Sequence, residues 1–306
     1  MRVQKVKRKD LRTPLYLKII THGVMILGGI LMLYPFVFQL FAAFSTYDEY
    51  AAGGVLPIPQ HIAEVGFRNF AYFFQMDGIV QSLLITTVKM VYLAIVTVAT
   101  SMLAGFVFQK YQFKGKNFVF MLFMSSMMIP SVATMVPSLV IMVNFPLMGG
   151  NNILGQGGSG LFNNPASHFV FGLVGAYNIF LVRQALVTAP DSLGEAAEID
   201  GAGFFRIVFG IYLPVIKPII IYFLMGLLIG QWNDYMFSML YLSNNPESWT
   251  IGYLVYRIVE VFNQGLTPDY PAMFGIYTVY MIFPILVFLF MQKYFIAGLT
   301  LGAIKE

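Results

Sequence analysis

The sequence predicts an all-α integral membrane protein: six transmembrane helices, with a short helical segment on the cytoplasmic side between spans four and five. Three observations predict it. The chain has 306 residues, of which 58% are hydrophobic and only 10% charged, with a mean hydropathy of +0.75. A soluble domain of this size needs far more surface charge. Six stretches each hold roughly 20 apolar residues, enough at ~1.5 Å per residue to cross a ~30 Å hydrocarbon layer. The basic residues, finally, are sorted by connection: every second one is basic and the alternate ones are nearly free of Lys and Arg.

The chain opens with a basic tail over 1–18, carrying Arg2, Lys5, Lys7, Arg8, Lys9, Arg12 and Lys18 against Asp10. The apolar run that follows is too long for a signal-peptide core, so it reads as a retained first helix. Residues 19–306 then form one transmembrane domain, with spans at about 19–44, 79–108, 118–143, 168–187, 212–232 and 273–295. Helices are required because lipid offers no partner to a free backbone amide. Six spans place both termini on one side. The tail, Lys110/Lys114/Lys116, Arg183/Arg206/Lys217 and Lys293/Lys305 share that face, whereas the opposite loops hold only Arg68 and Arg257. The basic face is the cytoplasmic one. Span three contains Pro130 and Pro137, each of which removes a helix hydrogen bond, and irregular backbone at depth predicts that this span faces the protein interior. The uncharged Gly/Asn-rich stretch within 144–167 reads as a loosely ordered connector. The longer outer loop, 233–272, has an apolar part from Trp249 to Phe262 that suggests an interaction element.

Asp191–Pro218 is the one place between two apolar stretches where acids gather. Ser192 with Glu195 three residues on is a capping-box pattern for a helix over 193–199. Gly201 can take the left-handed backbone that closes a helix. Asp200 can cap a second short helix over about 203–210. The stretch therefore predicts helix, glycine elbow, helix at a membrane surface.

Several chemistries are excluded. No GxxxxGK[ST] phosphate loop exists, since Gly115-Lys116-Asn117 lacks the earlier glycine and the hydroxyl residue, so no ATP site of that kind belongs to this chain. His22, His61 and His168 form no metal-ligand pair, and there is no cysteine. All Asp and Glu fall in predicted loops or tails, which argues against a proton-driven carrier and, less strongly, a sodium-driven one. A membrane-embedded hydrolase would need paired Asp, Ser/His or metal ligands in the spans. The pI near 9.1 reflects membrane sidedness, so nucleic acid is not a partner; membrane lipid is. The one mid-span charge, Lys89, either lines a polar pathway, faces another subunit or snorkels outward.

These residues resemble the inner-membrane permease subunits of ABC importers. Glu195-Ala196-Ala197, Gly201 and Ile211-Tyr212-Leu213-Pro214 match the family's EAA motif, and the fuller EAAEIDGA resembles the carbohydrate (maltose-type) branch. Met127 to Pro130, Trp232-Asn233-Asp234 and the closing FIAGLTLGAIK at 295–305 extend the match over most of the chain. The glycine-rich 149–160 is longer than the branch's connector, and no role carries over to it.

The resemblance implies a binding-protein-dependent importer of a sugar or oligosaccharide in a prokaryotic inner membrane, in which this chain forms half of the pathway. Two partner ATPase subunits would use ATP and Mg, while this chain binds no cofactor. A second, related permease would complete a heterodimer, and an extracytoplasmic substrate-binding protein would deliver the solute. Glu195, Ala196, Ala197, Asp200, Gly201, Leu213 and Pro214 would couple to the ATPase. Gly298, Gly302 and Lys305 would touch it from the C-terminus. Pro130, Trp232 and Asn233 join Lys89 as pathway candidates, and Trp249, Tyr253, Tyr256 and Tyr270 become candidates for meeting the binding protein. A permease for a non-sugar solute, or a carrier or channel without an ATPase, are the alternatives.

Overall fold

The computed structural model describes residues 14–264 and 268–303, with side chains to residue 294. The tail from Arg2 to Arg12 and Lys305 therefore lie outside the described residues. In chain order the helices are α1 (Leu15–Ala43), α2 (Tyr47–Ala51), α3 (Ile62–Val65), α4 (Arg68–Phe74), α5 (Ile79–Lys110), α6 (Lys116–Ser126) and α7 (Ser131–Val143). They continue with α8 (Ala176–Val187), α9 (Ser192–Ile199), α10 (Leu213–Val215), α11 (Lys217–Trp232), α12 (Met236–Tyr241), α13 (Ile251–Asn263), α14 (Tyr270–Tyr280) and α15 (Ile282–Ala303). The chain divides into two units, one of residues 1–72 with 265–278, the other of 73–264 with 279–306.

Among the described residues three helical stretches are long and apolar enough to cross a membrane: Leu15–Ala43, Ile79–Lys110 and Tyr270–Tyr294. Two bent pairs join them if each is one span, α6 with α7 at 98° and Arg206–Val215 with α11 at 86°. The first of these breaks at the predicted place. Pro130 caps α7 with no side-chain hydrogen bond, while Pro137 is accommodated inside it. Within this single chain the pair is little packed: no residue of α6 is buried and only Met142 of α7 is. The predicted fourth span is shorter than expected. Its helix is α8 alone, twelve residues, preceded by a 3-10 turn at Pro165–Phe169 and by Gly172 in the left-handed region.

In the unit of residues 1–72 and 265–278, α1 exposes its apolar side chains along almost its whole length and buries only Ala42 and Ala43. There Asn69 donates to the Ala43 carbonyl (2.9 Å). The loop after α1 is closed by a capping box in which Thr46 and Glu49 exchange hydrogen bonds. Burial pushes the Glu49 carboxyl up, but donation from the Thr46 backbone, the His61 ring and the Gln60 and His61 amides outweighs it and holds the pKa at about 2. The same bond to Glu49, with the charges of Glu49 and Glu64, raises His61 above 6.5.

The sign follows from linkage. Glu49 stabilises the loop above its ordinary carboxylate range and loses that contribution only as pH falls through about 2. His61 contributes fully below 6.5 and loses its part as pH rises through its raised value. Cleavage by chymotrypsin at Tyr47 or Tyr50 is expected to accelerate as pH rises from 6 to 9 in the wild type and to be pH-independent, relative to a peptide control, in Glu49→Gln. Equal profiles for the two would contradict this account.

In the other unit α5 is the central element, flanked by α8, α11 and α13, with α15 along α11. Its buried face steps through Thr86, Met90, Leu93, Thr97, Ser101 and Gly105, the helical repeat of one stripe. Helices in lipid gain by close contact rather than by leaving water, so small residues on that stripe let α8 approach. Gly105 is the tightest point. A Cβ there would lie 2.5 Å from Val182 Cγ1 and 3.2 Å from the Arg183 amide nitrogen. Gly105→Ala is expected to destabilise the fold by about 1–3 kcal/mol, because the obstacle includes backbone. Thermal unfolding in detergent measures it, and an unchanged midpoint would contradict the close contact.

The stretch 144–164 is not the loose connector the sequence suggests. Asn151 is buried and donates to the Val143 (2.8 Å) and Phe145 (3.1 Å) carbonyls while its Oδ1 accepts from the Gly158 amide (2.7 Å). Asn152 Oδ1 accepts from the Leu154 and Gln156 amides. The glycines serve this knot: Gly149 has φ +55°, and a Cβ there would collide with the Gly160 carbonyl oxygen. Composition signals flexibility, whereas Asn side chains replacing backbone partners make the order.

Candidate functional site

The first candidate site is the α8–α11 connection. The helix expected over 193–199 is α9, Ser192–Ile199. The elbow expected at Gly201 is present, with φ +78°. The capping box is not formed: Asp191 is the N-cap residue, in helical conformation, and no side chain caps the helix. Asp191 is drawn instead into an ion pair with Lys110, which also donates to the Ala189 carbonyl (3.1 Å). Nor does Asp200 cap the next helix, which passes through a π-helical stretch, Arg206–Tyr212, whose N-cap is Phe205. An extra backbone step inside a helix of this kind recurs at functional positions.

One side of α9 is held firmly. Gly194 and Ala197, one turn apart, are its buried residues, and a Cβ on Gly194 would meet the Tyr212 hydroxyl at 2.8 Å. Tyr212 is 2% exposed, donates to the Pro190 carbonyl (3.3 Å) and lies against Phe106, with ring centroids 5.3 Å apart. The other side is open. Glu195, Ala196, Glu198, Ile199 and Asp200 are exposed, Ile199 by 87%. Phe205 and Val215 add exposed apolar area nearby. Leu213 is half-buried and Pro214 exposed in α10. Beside α9 a cleft is lined by Gln109, Lys110, Gln112, Glu195 and Glu198. This is a rigid helix with a small-residue inner face and an outer face of mixed acid and bare hydrocarbon.

The second site surrounds Lys89, which is 3% exposed. Its ammonium pairs with Asp234 (3.1 Å) and sits 4.1 Å from the Phe237 ring centroid. His168 stacks on the same ring and hydrogen-bonds the Ser248 carbonyl (2.8 Å). Thr250 donates to the Asp234 carbonyl (3.0 Å), and the Ile251 amide donates to Thr86 (2.8 Å). One network thus joins α5, the 3-10 turn before α8, the end of α11 and the start of α13. Asp234 is the residue sequence reasoning missed, because it was grouped with the outer loop. The signal was Lys89 itself, since a cation inside a span needs a counter-ion.

The remaining candidates separate. Trp232 is buried, donates to the Tyr280 carbonyl (3.1 Å) and stacks on Phe283 at 4.2 Å. Asn233 and Pro130 are exposed. Tyr253 is buried, with Trp249 packed against it at 5.0 Å and Tyr256 facing outward, so most of the apolar outer stretch forms core with α5. Tyr270 belongs to the other unit, 5.3 Å from Tyr50. Gly298 and Gly302 lie within α15. No group of three or more metal-ligating side chains occurs among the described residues.

Known proteins resemble this chain in sequence and in fold. The chain is 28% identical over 272 residues to the melibiose/raffinose/stachyose import permease protein MelC of Bacillus subtilis, covering 89% of this chain and 91% of that one. It is 27% identical over 291 residues to the lactose transport system permease protein LacG of Rhizobium radiobacter, covering 94% and 96%. In fold it resembles a chain of a bacterial ABC transporter that imports the acidic polysaccharide alginate, with a TM-score of 0.74, 19% identity and coverage of 92% and 96%. Residues 97–300, which include α9 and Asp234 but begin after Lys89, match the family described as binding-protein-dependent transport system inner membrane component, and the chain belongs to that family of ABC importer permeases.

Proposed function

We propose that this chain is the permease subunit of an ATP-driven saccharide importer and receives its work through α9. The observation that carries the reading is the two-faced α9, fixed inside by Gly194 and Ala197 and bare outside from Glu195 to Gly201. A stroke applied there would pass through Tyr212 and the π-helical stretch into α11, and through Lys110 and Phe106 into α5. Six crossings, with α8 completing the fourth, put both termini and α9 on the cytoplasmic side, as the charge asymmetry indicates. Residues 19–306 then act as one permease domain.

ATP and Mg belong to a pair of partner ATPase subunits. Glu195 can offer an arriving cation a charge-assisted hydrogen bond of roughly 1.5–3 kcal/mol. Gly298, Gly302 and Lys305 form the second contact with the ATPase. A related permease completes the pathway, and an external binding protein delivers the solute near Tyr256, with Trp249 and Tyr253 as support and Tyr270 as a further contact. A saccharide is favoured because the relatives named above are saccharide permeases. Titration of the cognate binding protein with a panel of neutral and acidic oligosaccharides tests the solute. Binding of one of them in the micromolar range is expected, and binding of peptides alone would overturn the saccharide reading.

A further inference from the structure

Arg183 is a cation without a counter-ion. It lies on α8 one turn before Val187, the last residue of that helix, so it stands about 6 Å in from the end that the charge asymmetry places at the cytoplasm. The side chain is half-buried, and its Nε is shut off from solvent with no hydrogen-bond partner. No ion pair among the described residues involves it. A guanidinium at that depth is costly unless an anion meets it. The surrounding chain supplies none, for there is no Asp or Glu between Asp77 and Asp191. Asp191 itself is taken by Lys110.

Aromatic rings tie this cation to two others. The Arg183 guanidinium carbon sits 3.9 Å from the Phe120 ring centroid on α6. Phe120 meets Phe108 of α5 at 5.4 Å, and Phe108 meets Phe113 at 6.0 Å. The Arg183 head is thereby linked to the turn between α5 and α6, which carries Lys114, exposed, and leads into Lys116, half-buried. Lys116 stands one turn before Phe120 on the same face of α6. It donates to the Tyr111 carbonyl (2.8 Å), which leaves two of its three protons for another acceptor.

The anion that fits is a phosphodiester at headgroup depth. Arg offers phosphate a fork of N–H donors, and basic groups between helices on the cytoplasmic side attract anionic headgroups. A carboxylate of a soluble partner would have to enter the hydrocarbon boundary to reach Arg183. A lipid is already there, and Phe118, Met121 and Leu122 of α6, each more than half exposed, give its chains an apolar surface.

We propose that Arg183, Lys114 and Lys116 form the headgroup site of an anionic phospholipid in the cytoplasmic leaflet, an assignment that rests on the sidedness given above. The test is native mass spectrometry of the purified transporter complex, titrated with phosphatidylglycerol or phosphatidylcholine. The wild type is expected to hold phosphatidylglycerol at least about tenfold more tightly. Each basic residue removed is expected to cost roughly fivefold in that affinity, in Arg183→Gln and in the double variant Lys114→Gln with Lys116→Gln, while phosphatidylcholine binding is unaffected. The double variant unfolds at the wild-type temperature in lipid-free detergent, which separates a lost contact from a folding defect. Equal affinity for the two lipids, or wild-type phosphatidylglycerol affinity in both variants, would overturn the site. So would displacement of the lipid by millimolar inorganic phosphate, the mark of a free-anion pocket, or photo-crosslinks from Lys114→Cys to a protein subunit in place of lipid. Labelling of Lys114→Cys by an impermeant maleimide from outside intact cells would contradict the sidedness itself, and the site with it.

Discussion

Gly201→Asp is expected to leave the protein inserted in the membrane while solute uptake falls at least about tenfold, on the order of the 1.4 kcal/mol or more that a lost contact represents. The backbone at Gly201 is left-handed, φ +78°, and the position is exposed, so that a Cβ there would meet nothing within 4 Å. An L-residue there costs roughly 1–2 kcal/mol, and Asp is among those that tolerate it best. The isolated chain therefore accommodates the side chain. A partner seated on the elbow would not, because close approach needs the bare backbone. The expected signature is ATP hydrolysis that no longer responds to solute-loaded binding protein. Normal uptake with normal stimulation would contradict the docking role.

The second large effect is at the buried ion pair. Lys89→Met is expected to lower stability by about 3 kcal/mol, the lower end for removing one partner of a buried pair, since Asp234 keeps a quarter of its side-chain exposure. The contact with Phe237 is lost as well. Lys89→Met combined with Asp234→Asn is expected to recover most of the loss, because the uncompensated charge is gone. Thermal unfolding of the single and double variants in detergent gives the coupling directly. Strict additivity would show that the pair does not hold α5 to the end of α11.

How much of this was legible in the sequence depended on whether the signal was local. The helix and elbow of 192–201 follow from residues within a turn of one another, and Gly201 took the backbone expected of it. The expected Ser192 and Asp200 caps are not formed; the N-cap position falls on Asp191, whose carboxylate pairs with Lys110, far away in sequence. Pro130 breaks span three as its ring requires, a signal local to the residue itself. Asp234 read as a loop acid until α5 brought Lys89 to it. The Gly/Asn stretch misled because its order comes from Asn151 standing in for backbone partners, which composition does not reveal.

The most direct measurement of the central claim exploits the absence of cysteine from the chain. A single cysteine at Ile199, on the open face of α9, is labelled with a photoreactive group in the assembled transporter, with Phe118 on exposed α6 as control. Crosslinks from position 199 to the ATPase subunit, with none from position 118, are the predicted result. Crosslinks to lipid or to the external binding protein from position 199, with none to the ATPase, would contradict the account.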